Sequence, residues 1–116
     1  MKFSKKFRLS KKKFFDRAFK NPKKVSYNGI VIFAKENFLQ YPRIGLIISK
    51  KNIKHSSERN RIKRLIRECF RLNLFFLKKM DFIVLVKRNL KNLENRRINK
   101  TLNKLWTQYY HSPQKL

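Results

Sequence analysis

The sequence predicts an α/β (α+β) two-layer sandwich: a small, mostly antiparallel sheet with helices packed on it, ordered α-β-β-(β)-α-β-α. Three observations lead there. The chain has 116 residues, which is one domain's length. Its hydrophobic period switches between helical and extended along the chain. Its composition, 41% hydrophobic and 14% aromatic, can fill one core although the formal charge is +26. A disordered polycationic tail lacks such residues. We therefore expect one domain over residues 1–116, with an ordered core over about 7–110 and a loose basic arm and tail at its two ends.

Each element follows from its local pattern. Ser10 is placed to cap a helix near residues 11–20, in which Phe15, Ala18 and Phe19 share a face and Asn21-Pro22 brings the stop. Residues 25–34 are β-branched and aromatic, one strand or two, with Gly29 as a break or bulge. A polar turn over 35–42 leads to a strand at 43–49, where Ile44, Leu46 and Ile48 alternate and Gly45 admits a close neighbour. After a basic loop comes the strongest helix, 57–76, with Ile62, Leu65, Ile66, Cys69 and Phe70 on one stripe and Ser56 or Ser57 as its cap. Residues 81–87 carry the continuous apolar run Phe82–Val86, as a central strand requires. The last helix spans 93–110, with Ile98, Leu102, Leu105, Trp106 and Tyr109 in line.

Charge narrows the function. Solubility is served by a net charge of magnitude ~2–8 in a small domain. At +26 the chain repels itself and is suited to a dense polyanion. The lone Cys69 permits no intrachain disulfide and no cysteine-based zinc site, and it lies on the apolar stripe as a core residue. The longest apolar runs, Ile30–Ala34 and Phe82–Val86, are too short to span a bilayer. A cytoplasmic protein without a membrane role is expected. Its six carboxylates are spread over five elements, and its two histidines lie in a loop and a tail. Neither two-metal chemistry nor a paired acid and base is suggested, and no small-molecule site is seen.

The 57–76 helix has a second stripe. With Ile62 at the centre of the apolar arc, Asn60, Lys63, Arg64, Arg67 and Arg71 occupy the opposite arc, with Glu68 on its flank. Residues 59–71 hold five arginines and one lysine, whereas the rest of the chain holds six arginines and twenty lysines. Arginine's planar fork grips phosphate with two hydrogen bonds and stacks on bases, which lysine cannot do.

The run Arg59-Asn60-Arg61-Ile62-Lys63-Arg64-Leu65-Ile66-Arg67-Glu68 resembles the signature helix of the protein subunit of bacterial ribonuclease P. PRIGLIISKKN at 42–52 looks like that family's strand and following loop, and MDFIVLVKR at 80–88 like its last strand. Phe7-Arg8-Leu9 with Phe15 and Phe19 resembles its first helix, and LNKLW at 102–106 its last. The resemblance implies a subunit that binds the catalytic RNA and the 5′ leader of precursor tRNA. It also implies that the RNA subunit breaks the bond and binds the Mg²⁺. Carried over by position, Arg59, Asn60, Arg61, Lys63, Arg64, Arg67 and Arg71 would face the catalytic RNA. Phe15, Phe19, Val31, Phe33, Lys50 and Lys51 would line the leader cleft, and Arg8, Lys87 and Arg88 would add RNA contacts. On the residues alone, Phe15 and Phe19 fit a core equally well. A left-handed strand–helix–strand crossover is implied too, against the ~98% preference for the right-handed form. The alternative is a basic ribosomal or other structured-RNA-binding protein outside tRNA processing.

Overall fold

The structure, a computed structural model, describes residues 4–87, 90 and 93–111. Helix α1 (Lys12–Ala18) is followed by strands β1 (Lys23–Tyr27), β2 (Ile30–Glu36) and β3 (Arg43–Ile48). Then come helix α2 (Ser56–Asn73), strand β4 (Met80–Val86) and helix α3 (Asn95–Trp106). The 25–34 segment is therefore two strands. Asn28 and Gly29 join them with φ of 50° and 80°, the left-handed pair that a two-residue primed hairpin turn requires.

The sheet runs β1-β2-β4-β3 and is antiparallel except where β3 pairs parallel with β4. A hairpin can join only antiparallel neighbours, so the parallel pair needs a crossover, and α2 supplies it. Strand β4 is central and covered on both faces, which explains its unbroken apolar run. Toward the helices, Ile32, Phe82 and Val84 meet Ile62, Ile66 and Phe70 of α2 and Ile98, Leu102 and Trp106 of α3 in one buried cluster. Each such side chain contributes ~1.5–3 kcal/mol on burial. On the reverse face, Ile83 packs with Leu9 and Ala18 under α1.

Both expected serine caps are corrected. Lys11 holds the N-cap position of α1 with no side-chain bond, because the chain before it is still extended and paired with β3. The Leu9 N–H donates to Ile44 O at 2.8 Å, so Phe7 ends a 3-10 turn and Arg8-Leu9 is an edge pairing, none of it part of the first helix. His55 caps α2, and Ser56 is already helical. The entry to α2 is fastened by Arg59, whose guanidinium donates to the carbonyls of Ile53 and Lys54, both at 2.8 Å. Strand β2 extends to Glu36, into the expected turn. Helices α2 and α3 end earlier than their apolar patterns, each tightening into a 3-10 turn, Leu74–Phe76 and Thr107–Tyr109.

One buried ionic network positions α1. Asp81 is fully buried and accepts two hydrogen bonds of 2.8 Å from Arg43 and one of 2.9 Å from Asn37. The Arg43 guanidinium also lies over the Phe14 ring of α1, 4.3 Å from its centroid. No sequence pattern marked these residues, because they meet only across β3, β4 and the loop before β3.

Candidate nucleic-acid interface

Helix α2 turns its apolar stripe to the sheet, which leaves its arginine stripe outward. Asn60, Lys63, Arg64, Arg67 and Arg71, with Glu68, line an open groove of about 460 Å³. Its other wall is Arg8, carried there by the pairing of residue 8 with Ile44 on the free edge of β3. The groove thus gathers five cationic side chains against one carboxylate. That carboxylate belongs to Glu68 and is gripped by both Nε and Nη2 of Arg71, at 3.1 and 2.5 Å. This pairing holds the exposed Glu68 carboxyl below its ordinary range and raises Arg71. Arg67 is lowered, first by partial burial and then by the charge of Arg8. The fold therefore brings the Arg8 charge near enough to Arg67 to be felt there, a repulsion that an anion in the groove would relieve.

Not every arginine of the helix faces the groove. Arg59 is engaged with the loop carbonyls before α2. Arg61 pairs with Glu58, at 3.2 Å, and reaches Asn95 of α3. These two tie the helix to its own fold, whereas Lys63, Arg64 and Arg67 make no hydrogen bond or ion pair among the described residues.

A second surface lies on the reverse face of the sheet. Cross-strand register puts Phe33, Ile83 and Gly45 in one row and Val31, Leu85 and Ile47 in the next. Helix α1 covers the first row. Phe15 sits over Gly45 so closely that a Cβ there would lie 2.5 Å from its Cζ. Phe19 remains 40% exposed at the helix end, its ring edge-on to Phe33 with centroids 5.0 Å apart. Leu85 and Ile47 are part-exposed in the second row, and Lys50 and Lys51 are exposed on the loop after β3. The expected cleft residues thus share one sheet face and its border, but unequally. Val31 is only 6% exposed, and Phe15 is committed mainly to packing. Phe19 and Phe33 carry the accessible aromatic surface. Lys87 is exposed just beyond β4. Arg88 lies outside the described residues.

The remaining polar residues offer little chemistry. The Cys69 thiol is buried and pushed up to about 11 by that burial, so it is a core group. Among the described residues no three His, Cys, Asp or Glu side chains gather as a metal site. No helix among them is long and apolar enough to cross a membrane.

A family profile described as Ribonuclease P matches residues 3–110. The ribonuclease P protein component of Photorhabdus laumondii is 47% identical over 107 residues, covering 92% of this chain and 90% of that protein. The corresponding protein of Baumannia cicadellinicola is 50% identical over 108 residues, covering 93% and 94%. Among solved structures, a Staphylococcus aureus RNase P protein mutant with defective mRNA degradation activity superposes with a TM-score of 0.83 at 28% identity, covering 90% of this chain and 88% of that one. The RNase P protein from Thermotoga maritima gives 0.78 at 25% identity, covering 90% and 98%.

Proposed function

The chain belongs to the family of ribonuclease P protein components, and on that footing we propose how it divides the work with its RNA partner. The α2 groove docks on the catalytic RNA. Lys63, Arg64, Arg67 and Arg8 meet its phosphates, and Arg71 joins them while paired to Glu68. The sheet face beside α1 takes the 5′ leader of precursor tRNA, with Phe19 and Phe33 stacking on bases and Lys50 and Lys51 on the backbone. Stacking of this kind tolerates any base and is worth ~1–3 kcal/mol per base, which suits a leader of variable sequence.

The observation that carries this reading is the convergence of Arg8 with the α2 arginines. A merely solvated helix face needs no second element to close a cationic groove over it. Neutralising crowded phosphates lowers the repulsion between catalytic and substrate RNA. Fixing the leader orients the scissile bond, so the protein contributes affinity and positioning.

The protein supplies no bond-breaking group in this reading. Asp16, Glu58, Glu68 and Asp81 are each ion-paired with a neighbouring cation. In this reading Mg²⁺ is assigned to the RNA. We place the complex in the cytoplasm. The test is precursor tRNA cleavage at low Mg²⁺ by the catalytic RNA with and without this protein. Strong stimulation is expected, and no cleavage by RNA-free protein. Cleavage by the protein alone, or no stimulation, would overturn the division of labour.

A further inference from the structure

A second cationic groove lies away from α2. The β1–β2 hairpin turns beside α3 and leaves an open space of about 850 Å³, lined by Tyr27, Asn28, Arg96, Arg97, Lys100 and Lys104 among others. Four cationic side chains face it and no carboxylate does, so its excess of charge equals that of the α2 groove. All four cations are exposed. Arg96, Lys100 and Lys104 repeat every fourth residue, a ladder of charges ~6 Å apart along one helix face. Beside it Tyr27 is 40% exposed, with Lys104 Nζ 4.2 Å from its ring centroid. The hairpin is tied to the helix by Asn28 Nδ2, which donates to Thr101 Oγ1 at 3.5 Å.

We propose that this groove is a second RNA surface, one that takes a single-stranded segment. The charge ladder of α3 receives consecutive phosphates, and Tyr27 receives a base. An aromatic ring beside a row of cations is the combination that holds single strands without sequence preference. Helix α3 packs over β1 and β2, whereas α2 packs over β3. Strands β2 and β4 lie between the outer strands, so the two grooves open at opposite edges of the sheet, ~14 Å apart at the level of the strands. The two grooves thus face different edges of the sheet and present separate surfaces. The inference depends only on charge and geometry at α3, not on the role assigned to α2.

The test uses the full chain and a labelled oligouridylate dodecamer carrying 4-thiouridine. Arg96→Gln/Lys100→Gln should lower the slope of log affinity against log salt by ~1.4, as expected for two lost single-strand phosphate contacts. Lys78→Gln/Lys79→Gln removes the same charge at the α2–β4 turn and should leave the slope nearly unchanged. Photo-crosslinking should mark Tyr27, Tyr27→Ala should weaken binding ~5-fold or more, and Tyr27→Phe should restore it. Unchanged thermal midpoints in these variants verify folding. Equal loss in both double variants, crosslinks confined to other regions, or competition by an acidic peptide as effective as RNA would overturn the proposal. A duplex probe that loses as much affinity, with Tyr27→Ala neutral, would overturn the single-strand assignment.

Discussion

Neutralising Arg64 and Arg67 together should change how binding to the catalytic RNA responds to salt. These two guanidiniums line the α2 groove without an acidic partner, and Arg67 already faces Arg8. If each meets one phosphate of a duplex region, the double Ala variant loses ~1.8 from the slope of log affinity against log salt. Between 50 and 200 mM salt the wild type should then lose ~10-fold more affinity than the variant. Anisotropy titrations of labelled catalytic RNA in KCl would measure this. Arg59→Ala is the internal contrast. Arg59 spends its guanidinium on the Ile53 and Lys54 carbonyls, so its loss should lower the unfolding midpoint and leave the slope almost intact. If Arg59→Ala flattened the slope while the Arg64/Arg67 variant kept the wild-type value, the assignment of the groove would be refuted.

Other expectations follow from single contacts. Phe19→Ala should weaken holoenzyme binding of precursor tRNA by ~1–3 kcal/mol and leave mature tRNA unaffected, measured by competition; equal losses would make the ring a packing element only. Gly45→Ala places a methyl 2.5 Å from Phe15 Cζ and 3.2 Å from Leu9 Cβ, so urea unfolding should show a loss of ~1–3 kcal/mol, partly restored by Phe15→Leu. Asp81→Ala leaves the Arg43 guanidinium without its partner in a largely buried site, with an expected loss of ~3–5 kcal/mol in the same assay. Burial pushes Cys69 up to about 11 and Tyr109 up to about 12, above their unfolded values. The unfolded chain therefore releases these protons first, and stability present at pH 8 should decline from about pH 9 upward. Cys69→Ala should blunt the lower part of that decline in a pH series of thermal midpoints.

Much of the site was legible because a helix turns local spacing directly into direction. The 100° step that put Ile62 and Ile66 on the sheet also put Lys63, Arg64, Arg67 and Arg71 outward. The same step sets Arg61 beyond the flank of that arc and Arg59 on the apolar side between Ile66 and Phe70, and the structure spends both on neighbouring elements. Phe15 and Phe19 shared a predicted face but have separate fates, since Gly45 makes room for one ring while the helix end leaves the other open. Val31 alternates correctly with Ile30 and Ile32, yet alternation alone does not say how deeply the reverse face is covered.

Composition, charge and periodicity determined the α/β class, the elements, the polyanionic partner and the outward arginine stripe, because these depend on residues close in the chain. Tertiary structure decided what depends on distant residues meeting. It brought Arg8 across to α2 by pairing with β3. It joined Arg43 to Asp81, and it set the β1–β2 hairpin against α3. Each of these contacts spans thirty or more residues of sequence. Closing such long loops costs entropy that only the rest of the fold offsets, so no local pattern records these contacts.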